Sequence, residues 1–108
     1  MAVPDVSVIV TTRNEENNIV ACLESARKQT YPSEKIELIV VDNNSTDNTK
    51  ASAKKYTDKV YNFGPERSAQ RNFGVRQASG KYILCLDADM MLSERVISEC
   101  VEKCEQER

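Results

Sequence analysis

The chain has 108 residues, enough for one domain, with 15 basic and 17 acidic side chains and a formal net charge of -2. With 40% apolar and 30% charged residues, no basic run and no patterned aromatics, it reads as an ordinary globular protein for which nucleic acid is a poor partner. The absence of histidine removes His-based triads and His-metal sites, and glycines only at 64, 74 and 80 form neither a P-loop nor G-x-G-x-x-G.

The opening "MAVPDVSVIV" lacks a basic n-region, and its apolar run is too short for a secretion signal or an integral membrane segment. The chain is therefore expected in the cytoplasm. "VSVIVT" (6–11) is the first β-rich, continuously apolar run, the pattern of a strand buried on both faces of a parallel sheet. A helix is predicted from Glu15 to about Gln29, because Ile19, Val20, Leu23 and Ala26 recur at spacings of three and four. Asn14 is its expected cap, with Glu15 favourable in the first turn.

"IELIVVD" (36–42) is the second strand. Ser45 or Thr46 is expected to cap a helix to about Tyr56, with Asp47 in its positive first turn. "DKVYNF" (58–63) reads as a short edge strand. A third helix spans roughly Glu66 to Ser79 and is expected to stop at Gly80. "YILCLD" (82–87) is a fourth, doubly buried strand. A last helix opens at Ser93 with Val96, Ile97, Cys100, Val101 and Cys104 on its apolar face. Cys22, Cys85, Cys100 and Cys104 form no C-x-x-C pair; they read as buried, reduced thiols rather than a four-thiolate zinc site.

Such alternation predicts a three-layer, Rossmann-like α/β fold with a mainly parallel sheet of order 3-2-1-4. That order brings the ends of the first, second and fourth strands to one edge, where open α/β sheets bind ligands. Three polar segments lie there: "TTRNEE", "DNNSTD" and "DAD". Asp87 and Asp89, two residues apart, suit a hard cation such as Mg²⁺ or Mn²⁺ shared with a substrate phosphate; Met90 and Met91 offer only soft thioethers and read as packing residues. Asp42 fits either a ribose-binding acid or a turn-former.

Four segments, "VSVIVTTRNEENNI", "IELIVVDNNSTDNT", "ERSAQRNFGVRQASGKYI" and "LCLDADMML", together resemble the N-terminal half of the family 2 glycosyltransferases, which have the GT-A fold. The resemblance covers nearly the whole chain. It implies a site for a nucleotide-diphosphate sugar, UDP- or GDP-linked, with Thr11, Arg13 and Glu15 lining the nucleoside and Asp42 reading the base. It further implies that Arg71 and Asn72 match the "RN" of the third helix, Asp87 the nucleoside-side acid of D-x-D, and Asp89 the principal Mn²⁺ or Mg²⁺ ligand. Thr11 and Arg13 replace a common proline and aromatic, Asn43-Asn44 replaces an acidic-glycine pair, and Met91 stands where some relatives add a metal contact.

Family members continue into an acceptor-binding half carrying the general base of the inverting reaction. The expectation is thus one domain, residues 1–108, forming the donor-binding portion of an inverting, metal-dependent glycosyltransferase and inactive by itself. The alternative is a nucleotide-sugar binding module without chemistry. A D-x-D-x-T phosphatase would want threonine or valine at Met91, and a nucleotidyltransferase a glycine-rich first loop. As the fourth strand would be an unguarded edge, a homodimer is expected. A lipid-linked acceptor would bring the parent protein to a membrane surface.

Overall fold

The computed structural model describes residues 4–106. Four strands, β1 (Val6–Thr12), β2 (Ile36–Asp42), β3 (Val60–Asn62) and β4 (Tyr82–Asp87), form one parallel sheet in the order β3-β2-β1-β4. Helices α1 (Ile19–Arg27), α2 (Thr49–Ala53), α3 (Arg67–Gln77) and α4 (Val96–Gln106) alternate with them. The expected fold class and strand order are those observed.

Strand alternation sorts the core into two layers. Val8, Val10, Leu38, Val40 and Leu86 pack with Ile19 and Leu23 of α1, Ala53 of α2 and Ile97 of α4. Ile9, Ile39 and Val41 point to the other face, where Phe73 of α3 stacks on Phe63 at 4.6 Å and meets Tyr61 edge-on. Gly74 lets α3 approach this closely: a Cβ there would lie 2.5 Å from Ile9 Cγ2.

Helix ends differ from the sequence reading. α1 starts at Ile19; before it the backbone N–H groups of Asn14, Glu15 and Glu16 bond Ser45, Thr49 and Asp47, which holds this segment against the loop after β2 and the start of α2. Asn14 is therefore no cap; it has φ 52° and its side chain bonds that loop. α2 is only Thr49–Ala53, since Ser45 and Thr46 hold loop contacts instead. α3 ends at Gln77, and Gly80 serves close approach rather than helix termination: its Cβ would lie 2.6 Å from the Ser7 backbone nitrogen. α4 begins at Val96, while the Ser93 and Glu94 carbonyls accept bonds from Gln29 and Thr30.

β4 was expected to be buried on both faces, but Ile83 and Cys85 are exposed. They share the α3 face of the sheet, and α3 packs mainly over β1 and β2, with Arg67 and Arg71 extending to β4 at Asp87. Of the four cysteines only Cys22 is buried; Cys85, Cys100 and Cys104 are exposed, correcting the reading of all four as core. Met90 and Met91 are exposed too, not packed. Among the described residues no helix is long and apolar enough to cross a membrane.

Candidate functional site

Parallel pairing aligns Thr11 with Asp87 and Thr12 with Asp42, so three strand ends meet at the carboxyl edge of the sheet. A cleft there, about 110 Å³, is lined by Thr11, Thr12, Arg13, Glu15, Arg67, Gln70, Asp87, Ala88 and Asp89. The two aspartates do face one cavity, but not by strand alternation. β4 ends at Asp87, and a turn closed by the Met90 N–H on the Asp87 carbonyl (2.9 Å) carries Asp89 round to the opening.

Asp87 points to the α3 face, like Thr11 beside it. The Thr11 hydroxyl donates to Asp87 Oδ1 at 3.0 Å. Arg67 Nε lies 3.4 Å from the same oxygen and Arg71 Nη2 3.9 Å. All three contacts fall on Oδ1. Asp89 is exposed and has no hydrogen-bond or ion-pair partner among the described residues. Behind the pair, the Cys22 thiol bonds the Asp87 carbonyl at 3.8 Å; burial, then the charges of Asp89 and Asp87, push its pKa up to about 11. That thiol is inert packing.

Asp42 faces the opposite side of the sheet, as its register beside Val40 requires. It is fully buried, with Oδ1 accepting from the Ser45 hydroxyl at 2.6 Å and Oδ2 from the Ser45 N–H at 2.8 Å. Asn72 is exposed on α3 and, like Asp42 and Arg71, stands outside the cleft lining. The structure thus gathers Thr11, Arg13, Glu15, Asp87 and Asp89, sets Arg71 against Asp87, and leaves Asp42 and Asn72 apart.

Three polar lining residues, Thr12, Arg67 and Gln70, were not among the expected site residues. Arg67 and Gln70 stand four and one residues before Arg71, the spacing of one helical face, which was the available signal. Gln70 is buried and donates to the Thr12 and Val41 carbonyls at 3.2 and 2.8 Å, fixing α3 to both strand ends. Thr12 is 4% exposed, and its hydroxyl is a buried polar atom without a partner. Such a group costs stability unless something completes it.

Residues 7–108 match the family described as Glycosyl transferase family 2. Glycosyltransferase AglE of Haloferax volcanii is 41% identical over 93 residues, covering 80% of this chain and 31% of that protein. The crystal structure of Staphylococcus aureus TarS 1-349 in complex with UDP-GlcNAc is similar at TM-score 0.84 and 32% identity, over 94% of this chain and 31% of that one. TarS is a poly(ribitol-phosphate) beta-N-acetylglucosaminyltransferase. Mannosyltransferase PcManGT of Pyrobaculum calidifontis, in complex with GDP-Man and Mn²⁺, is similar at TM-score 0.71 and 31% identity, over 84% of this chain and 29% of that one. The chain spans about a third or less of the length of these relatives. Family profile, sequence relatives and GT-A architecture agree: the chain belongs to glycosyl transferase family 2.

Proposed function

We propose that the cleft between β1 and β4 binds a nucleotide-diphosphate sugar with a divalent cation, and that residues 7–108 are the donor-binding unit of an inverting sugar transfer. The observation that carries the reading is the convergence of Asp87 and Asp89 with Thr11, Arg13 and Glu15 in one polar cleft at the sheet's carboxyl edge. The partnerless Thr12 hydroxyl supports a polar occupant. TarS bound to UDP-GlcNAc and PcManGT bound to GDP-Man support a nucleotide sugar as that occupant.

The residues present fit a hard cation. Asp89 offers an open carboxylate, and Asp87 keeps Oδ2 outside its three contacts. Among the described residues no three His, Cys, Asp or Glu side chains converge, so Mg²⁺ or Mn²⁺ here would draw its other ligands from diphosphate and water. When bound, such an ion neutralises the diphosphate as a leaving group. The chain's own part is positional: Asp89 and Asp87 Oδ2 hold the cation, while Thr11, Arg13 and Glu15 surround the nucleoside. Asp42, buried at the end of β2, is the acid proposed to read the base, and Arg71, which is set against Asp87, and Asn72 after it are the proposed contributions of α3. Transfer needs a base to take the acceptor's proton. No cleft residue is assigned that role, so the unit is proposed to bind donor without transferring sugar.

UDP and GDP titrated calorimetrically should bind at roughly 10 µM to 1 mM and more tightly with Mn²⁺ than with chelator. Asp89→Ala should remove the metal enhancement while leaving the circular dichroism spectrum unchanged. No binding by the parent chain, or an enhancement preserved in the variant, would sink the assignment.

The open β4 edge, with Ile83 43% exposed beside exposed Cys85, supports pairing of two copies by antiparallel strand contact. Sedimentation equilibrium at high micromolar concentration should then return a dimer. A clean monomer defeats that part of the reading.

A further inference from the structure

Asp87 Oδ1 is crowded with positive charge, and the two guanidiniums responsible are not equivalent. Arg67 Nε is nearer, at 3.4 Å, its side chain is 63% exposed, and it lines the cleft. Arg71, at 3.9 Å, stands outside the lining, on the side of Asp87 where its charge reaches the Cys85 thiol. Arg67 can therefore turn toward an occupant of the cleft, whereas Arg71 stays behind the carboxylate.

We propose that Arg67 competes with the divalent cation for Asp87 in the free protein and transfers to the anionic nucleotide when the donor enters, coupling metal binding to donor binding. This rests on the donor-site reading above. The physical argument is charge accounting. A carboxylate with two guanidiniums and a hydroxyl on one oxygen is a poor anion for an incoming cation, so in the free protein Asp89 stands nearly alone as a ligand. A diphosphate is a better partner for Arg67 than a shared carboxylate, because its oxygens accept the guanidinium fork bidentately. Once Arg67 moves, Asp87 regains full charge toward the cation.

An exposed ion pair is worth little, so the coupling carried by Arg67 is bounded at about fivefold. Linkage requires that the same factor appear from both directions. Arg67→Gln should bind Mn²⁺ alone up to about fivefold more tightly than the parent chain. Its metal enhancement of UDP affinity should shrink by the same factor. Arg67→Lys, which keeps the charge but not the fork, should match the parent in Mn²⁺ affinity without nucleotide, while its metal enhancement falls short of the parent's. A purely structural role would move the melting temperature and leave these ratios alone.

The experiment is a Mn²⁺ titration followed by electron paramagnetic resonance, on parent, Arg67→Gln and Arg67→Lys, without nucleotide. UDP calorimetry in chelator and in saturating Mn²⁺ accompanies it. Tighter Mn²⁺ binding with diminished enhancement in Arg67→Gln supports the proposal. Equal Mn²⁺ affinities, or no Mn²⁺ binding by either protein, overturn it even if UDP binds well. Absence of UDP binding by the parent under both conditions overturns the donor reading and, with it, the transfer of Arg67 to nucleotide. Competition with Mn²⁺ for Asp87 is then decided by the metal titration alone.

Discussion

Asp42 sits where a strand meets its loop, and both of its oxygens are occupied by the same serine. The pair ties down the turn that also receives Asn14, since the Asn14 N–H bonds Ser45 Oγ at 2.8 Å and Asn14 Oδ1 accepts from Thr46. Asp42→Asn would set an amide donor, at a buried position, against one of the two Ser45 donors. Its cost should be about 1–3 kcal/mol in urea denaturation, the penalty of an unmet buried polar group. An unchanged midpoint would mean that the loop does not depend on this carboxylate. The D-x-D pair was legible because carboxylates after an apolar run are conspicuous. Arg67 was not, because an exposed arginine on a polar helix looks like any solvated charge until the fold sets it beside Asp87.

Strands were easier to read than helices, for a physical reason. Continuous β-rich runs such as "VSVIVTT" and "IELIVVD" are too short for ordinary helices and suit strands between two helical layers, and both are buried along their whole length. Helix starts were less legible: the N–H groups of Glu15 and Glu16 bond Thr49 and Asp47, and the continuous helix begins only at Ile19. At the opposite end of the sheet lies a second polar cluster that ties β1, β2 and the segment after α3 together. Glu37 accepts from Ser7 at 2.6 Å, from the Ser79 N–H at 2.9 Å, and from Lys59. Burial alone would push its carboxyl up, but Lys59, Ser7 and Ser79 outweigh that and hold it at about 2. An unfolded glutamate titrates near ~4.3, so the network stabilises fully above that pH and is lost as pH falls toward 2. Glu37→Gln should therefore cost about 1–3 kcal/mol at pH 6, and the gap from the parent should narrow by pH 3. Parallel stability-pH curves for the two proteins would contradict this.

At the scale of the molecule, the sheet order was legible because alternating elements with right-handed crossovers leave few topologies. Which faces stay uncovered was not legible, since an apolar run records the burial a strand suits rather than the cover that a given helix supplies. β4 carries that ambiguity in Ile83 and Cys85. The resulting distribution of thiols, three outside and one sealed beneath the D-x-D turn, makes the chain its own clock for opening. A thiol reagent under native conditions should modify Cys85, Cys100 and Cys104 at once, leaving Cys22 to wait for α1 to part from the end of β4. Intact-mass spectrometry should then record three rapid additions and one slow one. Because Cys22 lies directly behind Asp87, UDP with Mn²⁺ should slow only the fourth addition, turning a packing residue into a reporter of how firmly an occupant clamps the floor beneath it. Four additions at one rate would show that the floor opens freely.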